Sequence, residues 1–435
     1  DELLLAAAAS GTPATELAFP DPLPEHAVDR AWQRLRAMAA IDEAGHLTEH
    51  GRQLFPLPLD PLFAHLITAM PDTETMAAMA DLAAALSVDR PLLPPLRKEA
   101  ERDALAEWAP EPCDATTRIR LVRANPPRAV PINKAAVDEA RRMSDQIRSS
   151  LDLPERSADA ELPRERMLEA AVVAVPNLAF VRRAKRRQAL GNEGSEVQVA
   201  DESRFPEDAE AAVVFDQHAI PGKGTTATIN LGTCMAPIDL PALARQGIGE
   251  LTRDEAQWDG ERITVTARRV YANRTIAADP EEPEGAPLRA AAADLILAGR
   301  LFRGTGDRLR DDIAAWSLYQ ALGHGQGPDP EPADWLRERL AALGVEDGDD
   351  VQLLEPDDLR FQGIPDWERV RFDERYPRYW RLPGVELQVH YDVQRRRVTV
   401  EPVGGAERQP KRWELPAWSG WRIYYRRASR EVEIR

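Results

Sequence analysis

Two residue types are nearly missing from this chain of 435 residues, and each absence narrows what the protein can be. Cysteine occurs only at Cys113 and Cys234, with neither a second Cys nor a His at ligand spacing. That disfavours a disulfide framework and a zinc site and fits a reducing cytoplasm. Lysine occurs only at Lys98, Lys134, Lys185, Lys223 and Lys411, so arginine carries nearly all of the positive charge. Long apolar runs are absent too: stretches such as Ala170-Ala171-Val172-Val173-Ala174-Val175 fall far short of the ~20 residues that cross a bilayer, and no membrane partner is expected. Excess positive charge is also missing. At a formal net charge of −17 the surface cannot coat nucleic acid as a whole, since that needs clustered cations to displace counterions, so any such contact must be local.

The motifs of a complete active site are not found either. The phosphate-cradling pattern Gly-x-x-x-x-Gly-Lys-Ser/Thr has its nearest candidate in Pro221-Gly222-Lys223-Gly224-Thr225-Thr226, but Gln217 stands at the first glycine position and Gly224 follows the lysine. That segment reads as a hairpin loop. No Gly-x-Ser-x-Gly elbow, His-Glu-x-x-His pair or Cys-His nucleophile is present. No catalytic residue, metal or cofactor is therefore expected within the chain.

What is present is sharpest near the start. Trp32, Leu35 and Met38 recur at helical spacing, Asp42-Glu43-Ala44-Gly45 supplies turn chemistry, and Thr48 is placed to cap a helix that carries Gly51-Arg52. Helix, tight turn, short strand and helix make a winged-helix pattern. The segments Ala39-Ala40-Ile41-Asp42, Gly45-His46-Leu47-Thr48-Glu49-His50-Gly51-Arg52 and Leu57-Pro58-Leu59-Asp60-Pro61 closely resemble the region after the motor domains of DEAH-box RNA helicases. Farther on, Asn177-Leu178-Ala179, a basic run, Gly194-Ser195-Glu196-Val197 and Val213-Val214-Phe215 resemble the bacterial, Hrp-type members of that family.

The resemblance implies a multidomain α+β chain: winged helix at 1–60, helical ratchet bundle at 61–153, OB-like β-barrel at 164–260, and a family-specific mixed α/β C-terminal extension at 261–435. The polar, aperiodic stretch Pro154–Leu162 places a linker at 154–163. Between ratchet helices, Asp89–Pro131 reads as a shortened insertion rich in Pro and charge. Short strands are expected at Glu196–Val199, Ala212–Phe215 and Thr226–Ile229, with the tail returning to strands at Val385–Val400 and Arg412–Arg435. The resemblance further implies that ATP and Mg belong to RecA-like motor domains of a longer parent, lying before residue 1. The partners would be those motors and single-stranded RNA or other nucleic acid, in the cytoplasm. Two alternatives stand beside it: a non-enzymatic winged-helix protein binding duplex DNA, against which helix Thr48–Phe55 offers only Arg52 as a cation, and a protein-interaction scaffold.

Two candidate interfaces follow. The run Arg182, Arg183, Lys185, Arg186 and Arg187 is the densest local charge, able to grip RNA phosphates or, equally, to pair with Glu193, Glu196 and Asp201. The second is the cluster of Lys411, Arg412, Trp413, Trp418, Trp421, Arg422, Tyr424, Tyr425, Arg426 and Arg427, where cations and aromatics interleave as in single-strand binders. In it Trp413, Trp421, Arg422, Tyr424 and Arg426 are the RNA-binding candidates. Strand alternation puts Trp421, Ile423 and Tyr425 on one face and Arg422, Tyr424 and Arg426 on the other, so one aromatic set belongs to a core. His46, His50 and His65 read as surface or packing residues.

Overall fold

The computed structural model describes residues 1–11, 23–186, 188–221, 228–405, 408–428 and 430–435. They divide into two compact units, Asp1–Thr252 with Arg268–Ala278, and Arg253–Ala267 with Asp279–Arg435. No helix of the described residues is long and apolar enough to cross a membrane.

The first unit begins with α1 (Glu2–Ser10), α2 (Glu25–Ala37) and α3 (Glu49–Leu54). Leu4 and Leu5 of α1 share a core with Ala31, Leu35 and Met38, the apolar stripe of α2. The connection to α3 is built residue by residue. The Asp42 carboxylate accepts the His46 amide at 2.8 Å, and Gly45 (φ 88°) turns against Trp32, whose ring lies 2.8 Å from where a Cβ would sit. Ile41 and Leu47 then form an antiparallel bridge. Thr48 caps α3 by accepting the Gly51 amide at 2.9 Å and donates its hydroxyl to the Ala39 carbonyl at 2.6 Å. A Cβ on Gly51 would lie 2.1 Å from the Ala40 carbonyl oxygen, so this helix can approach the turn only through glycine.

Six helices follow: α4 (Pro61–Thr68), α5 (Thr73–Leu86), α6 (Glu99–Trp108), α7 (Asp114–Arg123), α8 (Lys134–Ser150) and α9 (Arg164–Ala174). Asp60 caps α4 with Pro61 at its first position, and Asp72 and Thr75 form a capping box on α5. α5 is buried nearly all round, which explains its Ala-rich sequence. Two features depart from expectation. Asp89–Pro131 is not merely a charged insertion: it carries α6 and α7, and α7 buries Ile119, Leu121 and Val122 between arginines that had masked its apolar face. The aperiodic stretch after α8 is strapped down, with Arg148 donating to the Pro154 carbonyl at 2.5 Å and Arg123 to that of Ala160 at 3.2 Å.

Five strands then close into a barrel: β1 (Ala179–Arg182), β2 (Ala189–Gly191), β3 (Glu196–Val199), β4 (Ala211–Pro221) and β5 (Thr228–Pro237), in the order β1-β2-β3-β5-β4. β3 and β5 run parallel. Alternate side chains serve two cores. Phe180, Leu190, Val197, Val214 and Met235 form one, while Ala179, Val181, Val213 and Phe215 join Met167, Leu168 and Val172 of α9 in the other. Of the strand expected at Thr226–Ile229, Thr228 and Ile229 are in β5, and Thr226 and Ala227, with Gly222–Thr225 where a hairpin loop was expected, lie outside the described residues.

After α10 (Leu240–Arg245) come β6 (Glu250–Arg253), β7 (Gln257–Trp258), β8 (Ile263–Tyr271) and β9 (Arg274–Glu281). β8 and β9 are joined at Ala272 and Asn273, both at positive φ (48° and 64°) as a two-residue hairpin turn requires. The second unit adds α11 (Gly285–Leu297), α12 (Thr305–Ala321), α13 (Pro332–Ala342), α14 (Gly348–Gln352) and α15 (Asp366–Arg375), which bury Leu288, Ile296, Leu309, Ile313, Leu336 and Leu340, among others. A five-stranded open sheet follows in sequential order: β10 (Tyr379–Leu382), β11 (Val385–Asp392), β12 (Arg397–Gly405), β13 (Arg422–Arg427) and β14 (Arg430–Ile434). The β12–β13 pair is parallel. Arg378 anchors its start, gripping Asp311 at 2.5 and 2.8 Å and Asp373 at 2.9 Å.

Candidate nucleic-acid interface

The basic run lies on β1 and the turn leading to β2, and it divides in two. Arg182 is buried: its Nε donates to the Ala209 carbonyl at 2.8 Å, and its guanidinium lies 5.9 Å from the Phe205 ring. Arg183 donates to the Ala272 carbonyl at 2.7 Å, stands 3.4 Å from Glu196, and covers Gly191 so closely that a Cβ there would lie 2.2 Å from its Nη2. These two arginines hold the barrel to its neighbouring segments. The next two cations face solvent. Arg186 is 78% exposed and 3.5 Å from Glu196, and exposed Lys185 has no hydrogen bond or ion pair among the described residues. Arg187 lies outside the described residues.

The C-terminal candidates are likewise dispersed. Trp413 sits on a 3-10 turn (Arg412–Glu414) rather than a strand; it is 77% exposed, with the Lys411 ammonium 4.9 Å from its ring centre. Trp421 packs edge-on against Tyr391 and Tyr376, at 5.7 and 6.3 Å. On β13 the expected alternation is observed: Ile423 and Tyr425 are buried, Arg422 and Arg426 exposed, and Tyr424 half-buried. The outer face is largely self-paired. The Arg397 guanidinium lies 4.0 Å over Tyr424 and binds Glu431, and Arg426 binds Glu401. Of this cluster, Trp413 is the most exposed aromatic, with the Lys411 ammonium over its ring.

Compared with known proteins, no family model matches the chain. Two solved structures resemble its fold: the Escherichia coli DExH-box NTPase HrpB, at 16% identity and a TM-score of 0.44 over 92% of this chain and 46% of that one, and a second structure from E. coli, of the DEAH/RHA helicase HrpB, at 16% and 0.43 over 92% and 47%. The chain thus spans about half the length of the structures it matches. Likeness at this level assigns no activity.

Sequence reasoning missed a polar node between helix and barrel. Asp114, in the first turn of α7, accepts the Ser203 hydroxyl at 2.6 Å, the Arg204 amide at 2.7 Å and the Met235 amide at 3.0 Å. Arg118 donates to the Thr233 carbonyl at 2.6 Å, and Arg204 to the Thr117 hydroxyl at 2.8 Å. Together with Leu92, Leu93 and exposed Arg90 and Arg102 these residues line a cleft of about 860 Å³. Its four arginines are balanced by Asp89, Asp114, Asp201, Glu202 and Asp216, so the lining favours neither sign of charge. Nothing local in the sequence signals it, because the partners of Asp114 lie far along the chain.

The thiols show no sign of reactivity. Cys113 and Cys234 are both buried, and burial pushes the Cys234 thiol well above its ordinary range. The described residues contain no group of three metal-ligating side chains. His50 and His65, expected as surface or packing residues, are half-buried and bonded to each other, Nε2 to Nδ1, at 2.8 Å.

Proposed function

We propose that this chain is the C-terminal accessory region of a bacterial, Hrp-type DEAH-box RNA helicase, in which it walls the nucleic-acid channel and carries no motor of its own. In that reading the N-terminal helices and the bridge form the winged helix, α4 to α9 the ratchet bundle, and the closed five-stranded barrel the OB-fold. ATP and Mg would act in the parent's RecA-like domains, which also would be its principal partner. The observation that carries the reading is the helicase-like run Ala39–Pro61, several of whose signature residues serve the local geometry. Thr48 caps α3, Gly51 admits the Ala40 carbonyl, and Asp60-Pro61 starts the next helix. Single-stranded RNA would be met by the solvent-facing part of the basic run, Lys185 and Arg186, through phosphate contacts that supply affinity without sequence readout.

The duplex-DNA alternative is poorly supported, since Arg52, the one cation on α3, is held by Glu49 at 3.1 Å and by the Leu47 carbonyl at 3.3 Å. The deciding experiment is to read the gene upstream of the Asp1 codon and to assay the encoded full-length protein for RNA-stimulated ATP hydrolysis. A Gly-x-x-x-x-Gly-Lys-Thr loop, an Asp-Glu-x-His box and such activity are expected. A reading frame without them overturns the proposal.

A further inference from the structure

His50 on α3 and His65 on α4 meet where neither ring has a carboxylate within ion-pairing distance among the described residues. Their rings are edge to face with centroids 5.1 Å apart, and the far nitrogen of His65 lies 3.4 Å from the Ala174 carbonyl at the end of α9. Most charges on the surrounding elements are engaged elsewhere: Glu49 with Arg52 on α3, Asp60 with the Leu62 amide before α4, and, on α9, Arg164 with the Pro237 carbonyl, Arg166 with Asp72 and Glu74, and Glu169 with Arg245; Glu165 stands in the first turn of α9, at the end opposite Ala174. The α9 residues nearest Ala174 are apolar.

This geometry sets the protons. A carbonyl can only accept, so His65 carries its proton on Nε2 and leaves Nδ1 as a lone pair; His50 must then donate from Nε2, leaving its own Nδ1 free. One added proton fits on His50 Nδ1 with both hydrogen bonds kept. A second would have to enter at His65 Nδ1, opposite an N–H, which abolishes the ring–ring bond and sets two cations in contact. We propose that His50 and His65 form a proton-counting latch that joins α3 and α4 to the end of α9, closed with zero or one added proton and opened by the second. Burial holds both imidazoles below their ordinary range, and the charge of His50 lowers His65 further. The sign follows: with folded-state values depressed, the pair's contribution to stability is full above about pH 6.5, the unfolded value, and is lost as pH falls through the lower folded-state values, the latch itself opening only at the second protonation.

The experiment uses the 435-residue chain. Nitrogen-15 spectra of the histidine rings should show, at pH 7.5, Nε2-protonated tautomers for both, and His65 resisting protonation well below the ordinary imidazole range. Melts from pH 7.5 to 5 should show an acid-side loss in Tm of about 2–4 °C that His65→Gln largely removes, because the glutamine oxygen still accepts from His50 but takes no proton. An Nδ1–H tautomer at His65, or titration of His65 within the ordinary imidazole range, overturns the proposal even if the variant fails to fold. So does an identical acid-side loss in wild type and His65→Gln.

Discussion

Arg148 of α8 meets Asp81 of α5 at 2.8 Å with both side chains buried, and the same carboxylate accepts Arg123 at 2.7 Å and the Ser144 hydroxyl at 2.6 Å. One buried acid thus joins three helices and, through the two arginines, the stretch 154–161. Such an arrangement tolerates replacement of the whole set far better than loss of one member, because removing one leaves the others charged in a dry site.

Asp81→Ala is therefore expected to lower the unfolding free energy by about 3–5 kcal/mol, measured by urea denaturation. Residues 154–161 should lose protection in hydrogen exchange in the same variant. A cost below about 1 kcal/mol would mean that the carboxylate is not the centre of the network.

Gly51→Ala forces a Cβ against the Ala40 carbonyl and should destabilise the first unit by about 1–3 kcal/mol, whereas Thr48→Ala, which removes the cap and the hydroxyl's bond to the Ala39 carbonyl without adding an atom, should cost about 1 kcal/mol. Paired thermal melts check the order. Equal effects would place the strain elsewhere.

The basic run should separate by assay. Lys185→Ala with Arg186→Ala is expected to weaken single-stranded RNA binding and flatten the slope of log K against log salt by about 0.7 per lost contact, with the melt unchanged. Arg182→Ala should instead cost about 1.5–3 kcal/mol of stability, because its guanidinium serves internal carbonyls. Fluorescence anisotropy across a salt series, beside a melt, distinguishes the two.

Among the tryptophans, Trp413→Ala should leave stability within about 0.5 kcal/mol and, if single strands stack there, weaken their binding by about 1–3 kcal/mol. Trp418, buried with its ring nitrogen donating to the Tyr391 hydroxyl at 3.0 Å, should cost about 3–5 kcal/mol when replaced by Ala. Titration of each variant with a labelled oligonucleotide, and its unfolding curve, test both statements.

A nucleotide titration of the chain should show neither ATP binding nor turnover, as the missing phosphate loop and acidic box require. Micromolar binding with hydrolysis would contradict the motorless reading.

The parts legible in the sequence were those whose partners are close along the chain. Trp32, Leu35 and Met38 announce α2 by spacing, and Thr48 caps a residue three positions on. β13 was legible because its outward residues alternate with Ile423 and Tyr425. β1 and β2 were not, since every residue in them is buried and no alternation is left to read. The division of the basic run was equally hidden. Nothing near Arg182 or Arg183 indicates that the carbonyls of Ala209 and Ala272 are their acceptors. Charge density marks where cations are, but the long-range fold decides which remain for a ligand.

The barrel and the C-terminal sheet differ in what they expose to another chain. A sheet closed on itself has no outermost strand, so the barrel offers no backbone row for a foreign strand to extend. The C-terminal sheet has two such rows, on β10 and β14. Along β14 the charges of Arg430, Glu431 and Glu433 flank Val432, and a strand adding there would have to strip water from them. Neutralising Glu431 and Glu433 would remove that guard from this short edge strand.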